Sequence, residues 1–160
     1  MAKQSAGLLL FRGAPGAIEV LLVHPGGPFW ANKDEGAWSI PKGEFSADEE
    51  SLQAALREFN EETGESVAGV FIALEPQRQA GGKVVHAWAV EADFDPARLR
   101  SNTVSIEWPP RSGRRRTFPE IDRAAWVRLD VANKKILKGQ VGFLRELETK
   151  LTTSPRSPRR

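Results

Sequence analysis

The order of elements predicted from the sequence indicates an α/β or α+β sandwich built around a mixed β-sheet. Apolar runs of strand length lie on both sides of one Glu-rich helix, at about 47–62, and a second amphipathic helix follows at about 133–151. Strands that alternate with helices in this way form layered folds with a shared core. With 160 residues, 40% of them hydrophobic, the chain is long enough for one such core. We therefore expect a single domain over residues 1–151 and a disordered basic tail at 152–160.

The composition excludes several functional classes. The chain contains no Cys, which rules out disulfides, thiolate zinc sites and a cysteine nucleophile. The apolar run near the N-terminus is too short for a signal peptide, and no other run reaches the length of a membrane span. We therefore expect a soluble cytoplasmic protein that does not associate with membranes.

Charge is divided unevenly along the chain. Residues 1–97 hold 7 Lys/Arg and 15 Asp/Glu, whereas residues 98–160 hold 16 Lys/Arg and 6 Asp/Glu. The first segment can supply carboxylates for a metal ion, and the second can supply cations. This division suits a polyanionic substrate that is bound through both.

The first elements are expected to be two paired strands. Residues 5–12 and 18–24 have the composition of strands, and the turn-forming stretch 13–17 between them favours a hairpin. A short strand at 38–40 then leads toward the Glu-rich helix. Gly43 follows it, and because glycine permits close backbone approach, its carbonyl is a candidate metal ligand.

Both ends of the Glu-rich helix can be predicted. Ser46 and Glu49 have the spacing of a capping box, so the helix is expected to begin at about Ala47, and Glu49 is expected to have a structural role. Gly64 is the expected C-terminal glycine. The apolar residues with helical spacing are Leu52, Ala55, Leu56 and Phe59. This apolar stripe should pack on the core.

Three carboxylates crowd the last turn of this helix. Glu58 lies three residues before Glu61 and four before Glu62, so their charges repel one another, and the negative end of the helix dipole adds to the cost. A divalent cation converts this repulsion into ligation, because hard oxygen donors one turn apart can share Mg²⁺. We expect the three side chains to face away from the core, with Arg57 holding the Glu61 carboxylate. The alternative is a solvated acidic helix face.

Four further strands are expected after the helix. They lie at 67–74, 83–91, 104–108 and 125–129. Two histidines on predicted strands are candidate ligand contacts. His24 is expected to have a structural role instead, and His86 faces either a substrate cleft or a structural partner.

The stretch at 109–118 is expected to be a basic Pro/Gly/Ser-rich loop that follows Trp108. Its four arginines are Arg111, Arg114, Arg115 and Arg116. Planar guanidinium groups suit phosphate oxygens, and the indole of Trp108 could stack on a base. A solvated basic loop is the alternative. Nucleic-acid binding is a further alternative that we do not favour, because the cluster lacks interleaved aromatic residues.

The spacing of residues around the Glu-rich helix is similar to the signature of the Nudix hydrolase family. The matching residues are Gly43, Glu49 after five intervening residues and, after seven more, Arg57, Glu58, Phe59, Glu61, Glu62 and Gly64. Glu65 departs from the family pattern, in which an apolar residue follows the glycine. The resemblance implies the Nudix α/β/α fold, with Arg57 in the catalytic set and Mg²⁺, or alternatively Mn²⁺, as cofactor. It also implies hydrolysis of a diphosphate linkage between a nucleoside diphosphate and another moiety.

The resemblance implies roles for individual residues as well. Glu58 and Glu62 would be the main metal ligands, and Glu61 and the Gly43 carbonyl would be additional ones. Glu58 or Glu120, which lies on a loop before a late strand, would be the general base. Substrate contacts would come from Lys42, Trp38, His86, Trp108 and the four arginines.

The resemblance also implies a nucleotide-type substrate. Residues 38–43 resemble the W-x-x-P-K-G segment of nucleoside triphosphate and dinucleoside polyphosphate hydrolases, which are therefore the expected substrate classes. The alternatives are a catalytically silent Nudix-fold nucleotide sensor, an RNA-contacting module and an RNA 5′-end pyrophosphohydrolase. The sequence leaves the oligomeric state and the number of metal ions open.

Overall fold

The computed structural model describes residues 3–153, and within this range the chain forms nine strands and three α-helices. The strands are β1 (Gln4–Arg12), β2 (Glu19–Pro25), β3 (Lys42–Glu44), β4 (Phe71–Ala73), β5 (Gln77–Arg78), β6 (Val84–Glu91), β7 (Thr103–Glu107), β8 (Arg115–Pro119) and β9 (Ile121–Arg128). The helices are α1 (Ser51–Thr63), α2 (Leu129–Lys135) and α3 (Val141–Thr153). Helix α1 lies between β3 and β4, and α2 and α3 follow β9.

Seven strands form one mixed sheet, in the order β4-β6-β1-β2-β9, with β3 paired to β1 and β5 paired to β6. The pair β1 and β6 is parallel, and the other pairs of this sheet are antiparallel. Strand β1 is buried along nearly its whole length, because helices cover both faces of the sheet. Strands β7 and β8 form a separate two-stranded hairpin.

The core is divided into two layers by the sheet. Side chains alternate along β1, so Leu8 and Leu10 pack with α1 on one face, whereas Leu9 and Phe11 pack with α2 and α3 on the other. This arrangement confirms the predicted α/β/α sandwich. None of the helices within residues 3–153 is long and apolar enough to cross a membrane. The cytoplasmic location stays a prediction.

Helix α1 begins later than predicted. Its first residue is Ser51, with Glu50 at the N-cap, and residues 47–49 form a turn instead of the first helical residues. The predicted capping box is therefore wrong, because the Glu49 side chain binds Arg57. The other end agrees with the prediction, since Gly64 adopts the left-handed conformation with φ 83° and donates its N–H to the Asn60 carbonyl at 2.8 Å.

Two predicted strands are shorter than expected or displaced. Residues 38–40 form only isolated bridges, Trp38 with Ile136 and Ser39 with Val23, and the strand that precedes α1 is β3. The strand predicted at 67–74 is limited to β4, because residues 68–70 are exposed and have no sheet partner on the edge.

The predicted basic loop is also partly wrong. Residues 115–119 form β8, which pairs with β7 and leaves only the preceding turn irregular. Strand β8 begins with two consecutive exposed arginines and lacks the apolar periodicity that marks a strand, so the cross-strand pairing with β7 was not visible in the sequence.

The second predicted helix is interrupted. The chain forms α2 from Leu129, then an extended residue, Ile136 with ψ 151°, and then α3. The break occurs because the backbone at Ile136 pairs with Trp38. The Trp38 N–H donates to the Lys135 carbonyl at 2.9 Å, and the Leu137 N–H donates to the Trp38 carbonyl at 2.8 Å. Helix α3 includes residues 152 and 153 of the predicted tail, and residues 154–160 lie outside the described range.

Candidate active site

A cleft of about 320 Å³ opens beside β3 and the C-terminal end of α1. One part of its wall is apolar and includes Val23, Ala37, Ile40 and Leu137. The other part is polar and includes Ser5, Lys42, Glu44, Glu62, Lys83 and Glu120. A cavity of this size with convergent charged groups is the usual form of a small-molecule site.

Strand β3 brings the backbone of Gly43 against the acidic end of α1. A Cβ added at Gly43 would lie 1.8 Å from Oε1 of Glu58, so any larger residue would displace this carboxylate. The neighbouring Lys42 N–H donates to Oε1 of Glu62 at 3.2 Å. The strand and the helix are therefore joined through the two predicted metal ligands.

The orientation of the three helix carboxylates differs from the prediction. Glu58 and Glu62 are 8% and 5% exposed, whereas Glu61 faces solvent. The expectation that all three face away from the core is wrong, because the end of α1 packs against β3 and covers two of them. Burial raises the pKa of Glu62 to about 8, with the charge of Glu120 as the second cause. Burial also raises the pKa of Glu58.

Arg57 contacts three acids of the site. Its Nε and Nη2 donate to Oε2 and Oε1 of Glu49, both at 2.9 Å, which is a bidentate ion pair. Its Nη1 lies 2.5 Å from Oε2 of Glu58 and 3.4 Å from Oε1 of Glu61. Arg57 therefore orients Glu58 more closely than Glu61, the predicted partner, and Glu49 holds Arg57 in place. The hydrogen bond to Glu49 raises the pKa of Arg57 and lowers that of Glu49.

Glu120 reaches the cleft from the bend between β8 and β9. Its N–H donates to the Asn102 carbonyl, and its own carbonyl accepts the Gly26 N–H, both at 2.9 Å. The negative charge of Glu120 contributes to the raised pKa values of Glu62 and Glu58. The structure thus brings Glu120 to the carboxylates of α1, as its predicted role requires.

Lys42 also lines the cleft, and its pKa is lowered by burial and then by the charge of Lys83. Ser5, Lys83 and Trp30 are among the lining residues that were not predicted as site residues. Each carries a recognisable signal. Ser5 and Lys83 are polar residues at the start of apolar strands, and Trp30 is a large aromatic residue on a Gly/Pro-rich loop.

Other predicted substrate contacts lie elsewhere. Trp38 is 5% exposed and packs in the core, where its Nε1 donates to Asp34 at 2.7 Å. The Nε2 of His86 lies 2.5 Å from Oε1 of Gln4, and the His86 ring packs edge-on against Phe45 instead of lining the cleft.

His24 has the structural environment that was predicted for it. It is fully buried, with Nδ1 2.9 Å from Oδ1 of Asp122 and Nε2 2.6 Å from the Lys33 carbonyl. The ring also contacts Trp38 edge-on, with centroids 5.1 Å apart. These contacts help to pack the wall of the cleft.

The four arginines lie on the exposed β7–β8 hairpin, outside the lining of the cleft as the described residues define it. Arg115 donates to the Ser105 carbonyl at 2.8 Å, and Arg111 occupies the turn with φ 63°. Trp108 precedes the turn and donates its N–H to the Arg114 carbonyl. The structure therefore separates these arginines and Trp108 from the carboxylates.

The donor set of the cleft fits a divalent cation. Glu58 and Glu62 are buried acids with raised pKa values, and a cation would satisfy the charge that burial makes costly. Within residues 3–153, no three acidic or histidine side chains already lie at the spacing of a metal-ligand group. Glutamate side chains can adopt other rotamers, and Gly43 leaves space for this on the β3 side.

The model of the family described as NUDIX domain matches residues 1–147. No curated protein matches the chain.

Three solved structures illustrate the structural similarity. An Ap4A hydrolase from C. elegans, in a binary complex, is 24% identical with TM-score 0.65, and the match covers 94% of this chain and 98% of that one. The NUDIX domain of Shewanella oneidensis NrtR, complexed with ADP ribose, is 18% identical with TM-score 0.63, covering 94% and 89%. The Nudix hydrolase RenU from M. smegmatis is 26% identical with TM-score 0.58, covering 98% and 89%.

The family match extends over most of the chain. One of the acids of α1, Glu62, lines the cleft. The chain therefore belongs to the NUDIX domain family and is a hydrolase of the Nudix type.

Proposed function

We propose that the protein catalyses Mg²⁺-dependent hydrolysis of a diphosphate linkage in a nucleoside diphosphate joined to another moiety. The observation that carries this proposal is the pair of buried carboxylates, Glu58 and Glu62, against Gly43 at the edge of the cleft. Such a pair destabilises the protein in the absence of a cation, so its presence is best explained by ligation. A bound cation would neutralise phosphate charge and lower the pKa of the attacking water.

Six residues in and beside the cleft have a proposed part in this reaction. Glu58 and Glu62 would hold the cation, with Glu61 and the Gly43 carbonyl as further ligands. Glu120 or Glu58 would accept the proton of the attacking water, since Glu120 lines the cleft and the Glu58 carboxylate lies against Gly43 at its edge. Lys42 would steady the phosphate groups.

We propose a nucleoside triphosphate or a dinucleoside polyphosphate as substrate. The apolar wall of the cleft and Trp30 provide a surface for a nucleobase, and the polar wall provides cations for a phosphate chain. The W-x-x-P-K-G segment at 38–43 and the similarity in fold to an Ap4A hydrolase support this choice. The placement of Trp38, Trp108, His86 and the four arginines does not support their predicted contacts with such a substrate.

The Glu62→Gln variant tests the proposal. Turnover of nucleoside triphosphates or dinucleoside polyphosphates with Mg²⁺ should fall on the order of 10³-fold, because a metal ligand and its charge are lost. The fold should be retained, as monitored by circular dichroism and thermal unfolding, because Gln occupies the same volume. Wild-type turnover in this variant would contradict the assignment.

A matched control is Glu65→Gln, which removes the same charge just beyond the helix, where Glu65 pairs with Arg98 at 3.3 Å. Its turnover should stay close to that of the wild-type protein. A substrate panel should also include ADP-ribose and 5′-triphosphate RNA. Absence of phosphate release from every compound would favour a nucleotide sensor, and activity confined to RNA would favour 5′-end pyrophosphohydrolysis.

A further inference from the structure

Ser5 has an unusual position at the start of β1. The residue is fully buried, and within residues 3–153 its Oγ has no hydrogen-bond partner. Buried hydroxyl groups in folded proteins nearly always have a partner, so an unpaired one requires an explanation. Ser5 also borders the cleft. A hydroxyl that is unpaired in the protein and adjacent to a ligand cavity becomes available to a ligand when the side chains that cover it move.

The neighbours of Ser5 indicate which part of a ligand lies there. Ser5 pairs with Glu44 of β3, and two residues further along β1, Gly7 pairs with Lys42. Residues two apart on a strand share a face of the sheet, so the side chains of Ser5, Lys42 and Glu44 belong to the same face. A Cβ added at Gly7 would lie 2.7 Å from Cβ of Lys42, which shows that the lysine side chain leaves β3 on this face, opposite Gly7.

Lys83 completes the polar wall. It precedes β6, whose first residue, Val84, pairs with Gln4 next to Ser5. Lys83 lines the cleft and lies 3.4 Å from Glu44, which balances only one of the two lysine charges. Glu58 and Glu62 also act on Lys42, but they are the proposed cation ligands. With a cation bound to them, Lys42 and Lys83 outnumber Glu44 beside the unpaired hydroxyl. This corner favours an anion over a neutral base or sugar.

We propose that the hydroxyl of Ser5 donates a hydrogen bond to a phosphate oxygen of the substrate, in a subsite that it shares with Lys42 and Lys83. The proposal rests on the proposed function, in which the substrate carries a phosphate chain. Long lysine side chains have rotatable ammonium groups and can rearrange around an anion, which brings the anion within reach of the buried hydroxyl. The side chains of this subsite leave β3 on one face, and the Glu58 carboxylate contacts Gly43 on the other face. The subsite therefore holds a different part of the phosphate chain.

The Ser5→Ala variant of the full chain tests this subsite, with inorganic tripolyphosphate as the probe and Mg²⁺ present. Calorimetric titration should show binding weakened about tenfold, the expected effect of losing one hydrogen bond to a charged group. The midpoint of thermal unfolding without ligand should stay unchanged or rise, because the deleted hydroxyl has no partner in the folded protein.

Ser39→Ala is the matched control. Ser39 borders the same cleft, but its Oγ donates to the Ile40 carbonyl at 2.7 Å and accepts from Nε2 of Gln140 at 3.0 Å. This variant should have a lower unfolding midpoint and should bind tripolyphosphate with an affinity within about threefold of the wild-type value.

Three outcomes would overturn the proposal. Unchanged tripolyphosphate binding in Ser5→Ala would show that the hydroxyl does not contact phosphate. Unchanged tripolyphosphate binding together with weaker binding of a nucleoside would show that the Ser5 hydroxyl contacts the nucleoside instead. A lower unfolding midpoint in Ser5→Ala would show that the hydroxyl stabilises the protein itself. Failure of the proposed function would appear separately, as absence of turnover in a protein that still binds tripolyphosphate through Ser5.

Discussion

At the scale of single residues, the site is built from acids in positions that are unfavourable without a ligand. Glu62 is 5% exposed and has a pKa raised to about 8 by burial and by Glu120. Glu58 shares this environment but has Arg57 as a partner at 2.5 Å. The bidentate pair between Arg57 and Glu49 fixes the arginine, and thus the Glu58 carboxylate, before any ligand binds. Glu62 is therefore the residue whose ionisation depends most on a cation.

The raised pKa of Glu62 predicts a specific dependence of stability on pH in metal-free protein. In the unfolded chain this carboxyl loses its proton near pH 4.5, whereas in the folded protein it keeps the proton until about pH 8. Between these values the unfolded state binds fewer protons, so the free energy of unfolding falls as pH rises, by up to about 1.4 kcal/mol per pH unit. Chemical denaturation with a chelator present measures this slope.

The control for this prediction is Glu62→Gln, which cannot ionise. Its free energy of unfolding should be less sensitive to pH across the same window, and it should exceed that of the wild-type protein at pH 8. Identical pH profiles for the two proteins would show that Glu62 titrates normally. Addition of Mg²⁺ should flatten the profile of the wild-type protein, because ligation favours the ionised form.

At the scale of elements, the position of α1 depends on contacts at its C-terminal end. Gly64 ends the helix in a left-handed conformation, and the chain then turns away from the cleft. The Arg100 N–H donates to the Thr63 carbonyl at 2.8 Å, and the Asn102 N–H donates to the Glu61 carbonyl at 3.0 Å. These bonds satisfy carbonyls at the helix end and connect α1 to the segment that leads to β7.

Replacement of Gly64 by Ala should destabilise this end of the helix. A residue with a Cβ is strained by about 1–2 kcal/mol at φ 83°, and the added atom would lie 2.8 Å from Cβ of Arg100. We expect a loss of stability that exceeds 1 kcal/mol, together with reduced turnover because Glu61 and Glu62 are displaced. Urea denaturation and steady-state kinetics measure the two effects.

Gly16→Ala provides the comparison for this prediction. Gly16 also has a positive φ, 86°, but a Cβ there would meet no atom within 4 Å. The two variants therefore share the backbone strain and differ in the steric contact with Arg100. Gly16→Ala should lose less stability and keep wild-type turnover. Equal effects of the two substitutions would mean that the contact with Arg100 has no role in positioning α1.

At the scale of the whole molecule, the division of charge along the chain has a different meaning from the predicted one. The acidic segment does supply carboxylates to the cleft, but the cations that line it, Lys42 and Lys83, come from the same segment. The arginines of the basic segment lie on the exposed hairpin of β7 and β8. They can influence a polyanionic substrate through their long-range field more readily than through contact.

Neutralising two hairpin arginines, Arg114→Gln with Arg116→Gln, should therefore reduce kcat/KM by less than about tenfold at low salt. The difference from the wild-type protein should disappear as ionic strength rises above about 0.15 M, because exposed charges are screened over about 8 Å. Steady-state kinetics with a nucleotide substrate across a salt series measure this effect.

The charge-matched control is Arg128→Gln with Arg145→Gln, which removes two exposed arginines from β9 and α3. It should change kcat/KM less than the hairpin variant at low salt. If the hairpin variant instead lost activity by more than about 10²-fold at high salt, the arginines would contact the reacting phosphates directly, as the sequence predicts.

Local spacing in the sequence was enough to predict the central features of the protein. The three acids near the end of α1, the glycine that ends this helix and the alternation of β6 all follow from contacts within a few residues. Periodicity and helix-end chemistry are properties of short segments, so they can be read without the fold. The order of elements predicted a layered sandwich with a mixed sheet, and the resemblance to the Nudix family implied its α/β/α form, which the structure has. The identity of the metal ligands stays a prediction.

The features that were predicted wrongly depend on partners that local periodicity does not identify. Helix α1 starts late because the Glu49 side chain binds Arg57 instead of capping the helix. The second helix is interrupted because Ile136 pairs with Trp38. Only the tertiary structure shows that Trp38 is buried, that Lys83 and an unpaired Ser5 border the cleft, and that the arginines stand apart from it. Burial and long-range pairing depend on how the sheet and helices meet in space, and no spacing within a short segment encodes this.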